Sequence, residues 1–144
     1  MIISVFFAQK NKIRKSCGCG REGKNNYIWK GCGDLSGEKW GQICRGAKSR
    51  NIPVKITIEE AWEQYEKQKG KCALTGWNLI LYKVSKTTSA ATDASLDRID
   101  SSKPYEPNNT QWVHKWVNQA KNNLEQEEFI NMCKAIANNF SIYR

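Results

Sequence analysis

The chain has 144 residues, of which 40% are hydrophobic, enough for one compact core with a small satellite and too many for wholesale disorder. No stretch approaches the ~20 consecutive apolar residues of a membrane span. The apolar residues 1–8 lack both a preceding positive charge and a small-residue cleavage site, so no secretory leader is expected and the cytoplasm is the expected location.

The net charge of +9 sits entirely in one segment. Residues 1–55 hold 12 Lys and Arg against 3 Asp and Glu, whereas residues 56–144 hold 11 of each sign. Such asymmetry is expected of a part that grips a polyanion while the rest does other work. No amphipathic helix with a broad apolar face accompanies it, so nucleic acid is a better partner than lipid, and no membrane is expected. The chain is therefore divided into a basic region, 1–55, and a second unit, 56–144.

Residues 1–34 read as a short strand, a basic loop and a Gly-rich cysteine knuckle, Cys17-Gly-Cys19-Gly and Gly31-Cys32-Gly33-Asp34. Cys17, Cys19 and Cys32, with Asp34 as the fourth ligand, would suit Zn²⁺; free thiols in a cytosolic loop are the alternative. A first helix is predicted from an N-cap at Ser36 to about Ser49, burying Trp40, Ile43, Cys44 and Ala47 at helical spacing. Lys39, Arg45, Lys48 and Arg50 fall off that stripe and offer a basic face to DNA or to solvent. Asn51-Ile-Pro53 breaks the helix.

Thr57-Ile-Glu-Glu60 is a capping box and starts a second helix that ends near Gly70. Residues 77–83 read as a strand and 85–94 as a small, polar loop. Short strands at 95–99 and 110–113 flank a loop with two prolines, and a helix follows through about Asn123. A last helix, about 126–140, is predicted to bury Phe129, Ile130, Cys133, Ile136 and Ala137. Trp40, Trp62 and Trp112 sit at patterned positions and read as core rather than as base-stacking platforms.

The informative block is Leu96-Asp97-Arg98-Ile99-Asp100, then Tyr105, then Asn109-Thr-Gln-Trp-Val-His114-Lys-Trp-Val-Asn118-Gln-Ala-Lys121. A strand presents a carboxylate, a loop reverses the chain, and a helix presents an amide carbonyl. Two hairpin strands packed on one helix would bring Asp97 and Asn118 together. That pair suits a hard cation such as Mg²⁺ or Mn²⁺, which keeps its other positions for water and phosphate. Arg98 and Lys121 would suit a phosphate substrate.

This block resembles the HNH, or ββα-metal, nucleases over about residues 70–125, and Gly46-Ala-Lys-Ser-Arg50 and the final helix add likeness to phage-type members. The resemblance implies a small α+β fold with a ββα-metal core behind N-terminal helices, and a metal-dependent DNA endonuclease of restriction or homing type, with double-stranded DNA as partner. It implies Asp97 and Asn118 as metal ligands and Asn109 as the residue that holds the loop.

One departure matters. The general base of the family is normally the His after the Asp, and here that position is Arg98, which keeps its proton at any physiological pH. A restriction-enzyme variant of the family also has Asp-Arg on the strand and Tyr in the loop, which implies Tyr105 as base, with Arg98 beside it and neutralising transition-state charge. His114 is the other candidate base, or else a structural residue at the helix entrance.

Many family members hold a structural zinc between two Cys pairs. Here those positions read Cys72, Thr75, His114 and Val117, so no closed zinc site is expected there, and Cys72 and Cys133 read as small buried residues. Two alternatives stay open: a DNA-binding protein that kept the fold and lost activity, and a structure-selective junction or nicking nuclease. A homodimer would suit a palindromic target.

Overall fold

The computed structural model describes residues 31–81 and 92–141. In chain order these form α1 (Gly37–Ser49), α2 (Ile58–Lys67), β1 (Ala94–Arg98), a 3₁₀ turn (Pro107–Asn109), β2 (Thr110–His114), α3 (Lys115–Lys121) and α4 (Gln126–Ser141). Helices around one two-stranded sheet make this an α+β fold. Among the described residues no helix is long and apolar enough to cross a membrane.

Both N-terminal helices start at the residues whose side chains can cap them. Ser36 Oγ accepts from the Lys39 N–H at 3.0 Å. In the box at α2, Thr57 Oγ1 accepts from Glu60 N–H at 3.2 Å while Glu60 Oε2 accepts from Thr57 N–H at 2.8 Å. Just before α1, Cys32 and Leu35 exchange both backbone hydrogen bonds, each 2.9 Å, around Gly33 and Asp34. Gly33 has a φ of 55°, and a Cβ there would lie 2.1 Å from the Trp62 ring, so conformation and space both demand glycine. Ala47 and Leu35 are fully buried, and Trp40, Ile43 and Trp62 pack partly buried against the same core.

β1 and β2 pair antiparallel, with Leu96 opposite Trp112 and Asp97 opposite Gln111. Side chains alternate along a strand, so this register gives the hairpin an apolar and a polar face. On the apolar face Trp112 is completely buried; its Nε1 donates to the Ala61 carbonyl of α2 at 2.8 Å, and Tyr65 meets it edge-on with ring centroids 6.0 Å apart. Ser95, Asp97 and Gln111 form the polar face, and α3 lies over it.

Among the described residues β2 has β1 as its sole strand neighbour. Gln68, just past α2, satisfies part of the outer edge with its side-chain amide. Its Oε1 accepts from Trp112 N–H at 2.9 Å, and its Nε2 donates to the Trp112 and Lys71 carbonyls at 2.8 and 2.7 Å.

Three predicted elements differ from the structure. In its described part, 77–81, the predicted strand makes one isolated antiparallel bridge, Asn78 with Lys71, and no ladder. Leu79 and Leu81 are buried at alternating positions, but the Leu79 N–H bonds to the Gly70 carbonyl and the Ile80 N–H to Asp93 Oδ1 at 2.6 Å. Alternation without a strand partner buries side chains and leaves no sheet. α3 ends at Lys121, where Asn122 turns the chain with a φ of 48°. On α4, Phe129 alone of the predicted stripe is buried. Ile130 is half-buried and Cys133, Ala137 and Ile136 are exposed; Ile130, Cys133 and Ala137 line an open apolar groove with Leu74, Trp77 and Trp116 that leaves them solvent-accessible.

Replacing Gln68 by Ala strands the buried Trp112 N–H, while the Trp112 carbonyl keeps the Ala73 N–H at 3.0 Å. The expected loss is about 1–3 kcal/mol of unfolding free energy, read from urea denaturation. An unchanged midpoint would show that the amide bridge contributes nothing.

Candidate active site

The site is built at the end of the hairpin, under α3. Asp97, on the polar face of β1, is 5% exposed, and its two oxygens have separate partners. Oδ2 accepts from Gln111 Nε2 at 3.0 Å, and Gln111 in turn donates to Gln126 Oε1 at the start of α4, 2.7 Å away. Oδ1 faces the Lys121 ammonium at 3.4 Å, and that ammonium also donates to the Arg98 carbonyl at 2.8 Å. A carboxylate has about four lone-pair sites, so two accepted bonds leave capacity for a cation.

Asn118 lies one helical turn before Lys121, on the side of α3 that meets β1. Its Nδ2 donates to Ser95 Oγ at 2.7 Å, which fixes the amide and turns its oxygen away from Ser95. Asp97 and Asn118 line one cleft of about 410 Å³ together with Arg50, Arg98, Tyr105 and Asn122. A wider groove of about 830 Å³ shares Arg50 and Arg98 with it and adds Lys55 and Lys103. The carboxylate–amide pair therefore shares its cleft with two arginines and adjoins a largely basic groove.

The loop between the strands is stiffened by the residues expected to act there. Arg98 Nη1 donates to the Ser101 and Lys103 carbonyls. Asn109 accepts from Asp100 N–H at 2.8 Å and donates to the Asp100 and Pro104 carbonyls, both at 3.0 Å. Asp100 takes the Ser102 hydroxyl and N–H and the Lys103 ammonium; hydrogen bonds from Ser102 and then Lys103 hold its carboxyl well below the usual carboxylate range. Tyr105 is 4% exposed, and its backbone pairs with the segment at 53–55. Its N–H donates to the Pro53 carbonyl at 3.1 Å, and its carbonyl accepts from Lys55 N–H at 2.7 Å. The Arg98 guanidinium carbon lies 5.6 Å from the Tyr105 ring centroid.

His114 is placed elsewhere. It ends β2 and caps α3, its Nδ1 accepting from Trp116 N–H at 3.2 Å, and its ring sits edge-on to Trp77 and Trp116. An acceptor Nδ1 puts the ring proton on Nε2, which points toward Asp93 Oδ2 at 3.8 Å. The His114 ring is not brought to the Asp97 cleft. Its backbone N–H bonds to Cys72 Sγ at 3.3 Å. Burial works to raise the Cys72 thiol, but hydrogen bonds from Thr75, His114 and Leu74 outweigh it and hold it below its ordinary range.

One basic residue is not where a surface phosphate contact needs it. Lys121 is fully buried, its charge spent inside the protein on Asp97, so it is no phosphate ligand at the surface. Lys39 is half-buried; desolvation lowers its pKa, partly offset by Asp93. Arg45 and Lys48 are exposed on α1, and Arg50 lies at the cleft. Of the expected zinc ligands, Cys17 and Cys19 lie outside the described residues. Cys32 and Asp34 flank the tight turn at Gly33, and desolvation, then Glu59 and Glu66, raise the Cys32 thiol. Cys133, expected to be buried, is an exposed free thiol.

Ser95, Gln111 and Gln126 were not among the residues singled out from sequence. Alternation would have found the first two, since Ser95 is two residues before Asp97 and Gln111 is its cross-strand partner. Gln126 carries no such signal.

Among the described residues, no cluster of three or more His, Cys, Asp or Glu side chains could hold a metal ion. One carboxylate and one amide oxygen on a shared cleft still fit a hard dication that takes its remaining ligands from water and phosphate. No protein-family model matches the chain, and no curated protein matches it. Its fold is similar to the solved structure of PacI, a rare-cutting HNH restriction endonuclease, with a TM-score of 0.51 and 18% identity over 78% of this chain and 84% of that one. The likeness is one of fold: HNH-like.

Removing one partner of a buried charge pair leaves the other uncompensated, at a typical cost of about 3–5 kcal/mol. Lys121→Met should therefore lower stability by about that much in urea denaturation, whereas Lys67→Ala, which breaks the exposed pair with Glu63, should stay within about 0.5 kcal/mol of the parent. Equal effects of the two would contradict the role given to Lys121.

Proposed function

We propose that the protein is a divalent-metal-dependent DNA endonuclease. The carrying observation is that Asp97 and Asn118 line one cleft with Arg98 and Tyr105, opening onto a basic groove. Support also comes from the HNH-like fold, since PacI, with the similar structure, is an HNH restriction endonuclease.

Asp97 and Asn118 would hold Mg²⁺ or Mn²⁺. The ion, when bound, polarises the scissile phosphate and stabilises the departing 3′ oxygen. Gln111 and Lys121 fix the Asp97 carboxylate, and Ser95 fixes the Asn118 amide, so neither ligand needs ordering when DNA arrives. Arg98, with Nη1 committed to the loop, keeps its remaining N–H donors for the charge that develops on phosphorus oxygens. Tyr105 Oη is the proton acceptor for the attacking water. The water oxygen forms the new P–O bond, the P–O3′ bond breaks, and the 3′ oxygen takes a proton from solvent. Tyr105 is assigned as base over His114 because it lies at the cleft and His114 does not. Residues 1–55 grip the duplex backbone through the exposed Arg45 and Lys48 and the groove residue Lys55.

A second reading, binding without cleavage, has one observation in its favour: Lys121 already places a fixed positive charge 3.4 Å from Asp97, where it opposes a dication.

Supercoiled plasmid and large phage genomes incubated with Mg²⁺, Mn²⁺ or EDTA separate the two. The nuclease reading predicts metal-dependent cutting that is abolished in folded Asp97→Ala and falls about 10²–10⁴-fold in Tyr105→Phe, with DNA binding retained. A folded wild type that binds these DNAs and cuts none of them supports the second reading. Loss of cutting in His114→Ala with Tyr105→Phe unaffected overturns the base assignment.

A further inference from the structure

We propose that Arg50 is a positioning residue for Tyr105, an extension of the nuclease reading rather than a separate activity. Arg50 is the C-cap of α1, 55 positions from Tyr105 in sequence, and nothing in the spacing of the site motif points to it. Its guanidinium makes two directed bonds. Nε donates to the Gly46 carbonyl at 2.9 Å, in the last turn of α1, and Nη2 donates to Tyr105 Oη at 3.3 Å. The first bond fixes the plane of the guanidinium against the carbonyl end of a helix, where a cation is favoured. The second is then aimed by a rigid group rather than by a free side chain.

The backbone holds the same geometry. The Ile52 N–H bonds back to the Ala47 carbonyl at 2.9 Å, closing α1, and two residues later Val54 bridges Tyr105 in parallel. Arg50 and Tyr105 are thus locked at both main chain and side chain. The chemistry of the contact has one sense. A guanidinium only donates, so the Tyr105 oxygen accepts, and one of its lone pairs is taken by Arg50. The remaining acceptor capacity of that oxygen is left for the cleft that both residues share with Asp97 and Asn118. Arg50 orients a proton acceptor here in the way a carboxylate orients a histidine in other acid–base pairs. Phosphate contact alone makes a different prediction, because it acts on DNA binding and tolerates Lys.

The test is a double-mutant cycle in steady-state cleavage by the full chain, with folding checked by thermal melts. Arg50→Gln should lower kcat about 10–100-fold with KM changed less than about threefold, and Arg50→Lys should not restore it. In the Tyr105→Phe background the Arg50→Gln substitution should change kcat less than about twofold. A raised KM with unchanged kcat, rescue by Lys, or an equal loss in both backgrounds overturns the inference and leaves Tyr105 as base. If instead Tyr105→Phe cleaves like wild type, the base assignment fails and the inference falls with it. An arm independent of activity uses the full chain labelled with ¹³C at tyrosine Cζ. The resonance that disappears in Tyr105→Phe should move in Arg50→Gln, and a resonance that stays in place overturns the inference whether or not the protein cuts DNA.

Discussion

One buried carboxylate organises this structure. Asp97 comes from β1, Gln111 from β2, Lys121 from α3, and Gln126, through Gln111, from the start of α4. An ionised side chain that is nearly sealed from water is costly unless it is paired and hydrogen-bonded, so these elements cannot slide past one another without exposing or orphaning it. A one-residue slip of the hairpin would turn Asp97 into the apolar face and replace it with Leu96 or Arg98. The pair is better read as setting register than as a source of net stability, because well-packed apolar side chains often do as well in the same space.

From that fixed point the rest of the site follows by short steps. Ser95 shares the face of Asp97 and ties down Asn118. The Lys121 ammonium, reaching the Arg98 carbonyl, anchors the last residue of β1, and Arg98 clamps the loop that begins there. That loop presents Tyr105, and the backbone on each side of Tyr105 is stitched to residues 53 and 55. The basic N-terminal half therefore does more than add positive charge: the end of α1 reaches the cleft through Arg50. On the nuclease reading, a DNA phosphate would meet residues from both parts of the chain at once.

Much of the fold and part of the site were legible in the sequence. The capping residues Ser36 and Thr57 and the helical stripe through Ala47 are local signals, and local hydrogen bonds decide them. The hairpin and α3 were readable because Asp97, Asn109 and Asn118 follow a known spacing. Long-range features were not. A strand pattern at 77–81 satisfied its backbone through Gly70 and Asp93 rather than a neighbouring strand, and nothing in the local sequence distinguishes those outcomes. Lys121 looked like a phosphate ligand because spacing gives the face of a helix and not the depth of burial. α4 keeps a helical apolar period that, after Phe129, lines an open groove rather than a closed core. Gln68, mimicking a strand edge, carries no signature at all.

The central claim is that Asp97 and Asn118, held from behind, form a divalent-cation site on the DNA-facing cleft. A Mn²⁺ titration of the ¹⁵N-labelled full chain, followed through side-chain and backbone amide signals, tests it without knowledge of any target sequence. The account predicts paramagnetic broadening centred on the Asn118 side-chain amide and the amides of β1, absent in folded Asp97→Ala and competed by Mg²⁺. Broadening centred elsewhere, or undiminished in Asp97→Ala, would contradict it.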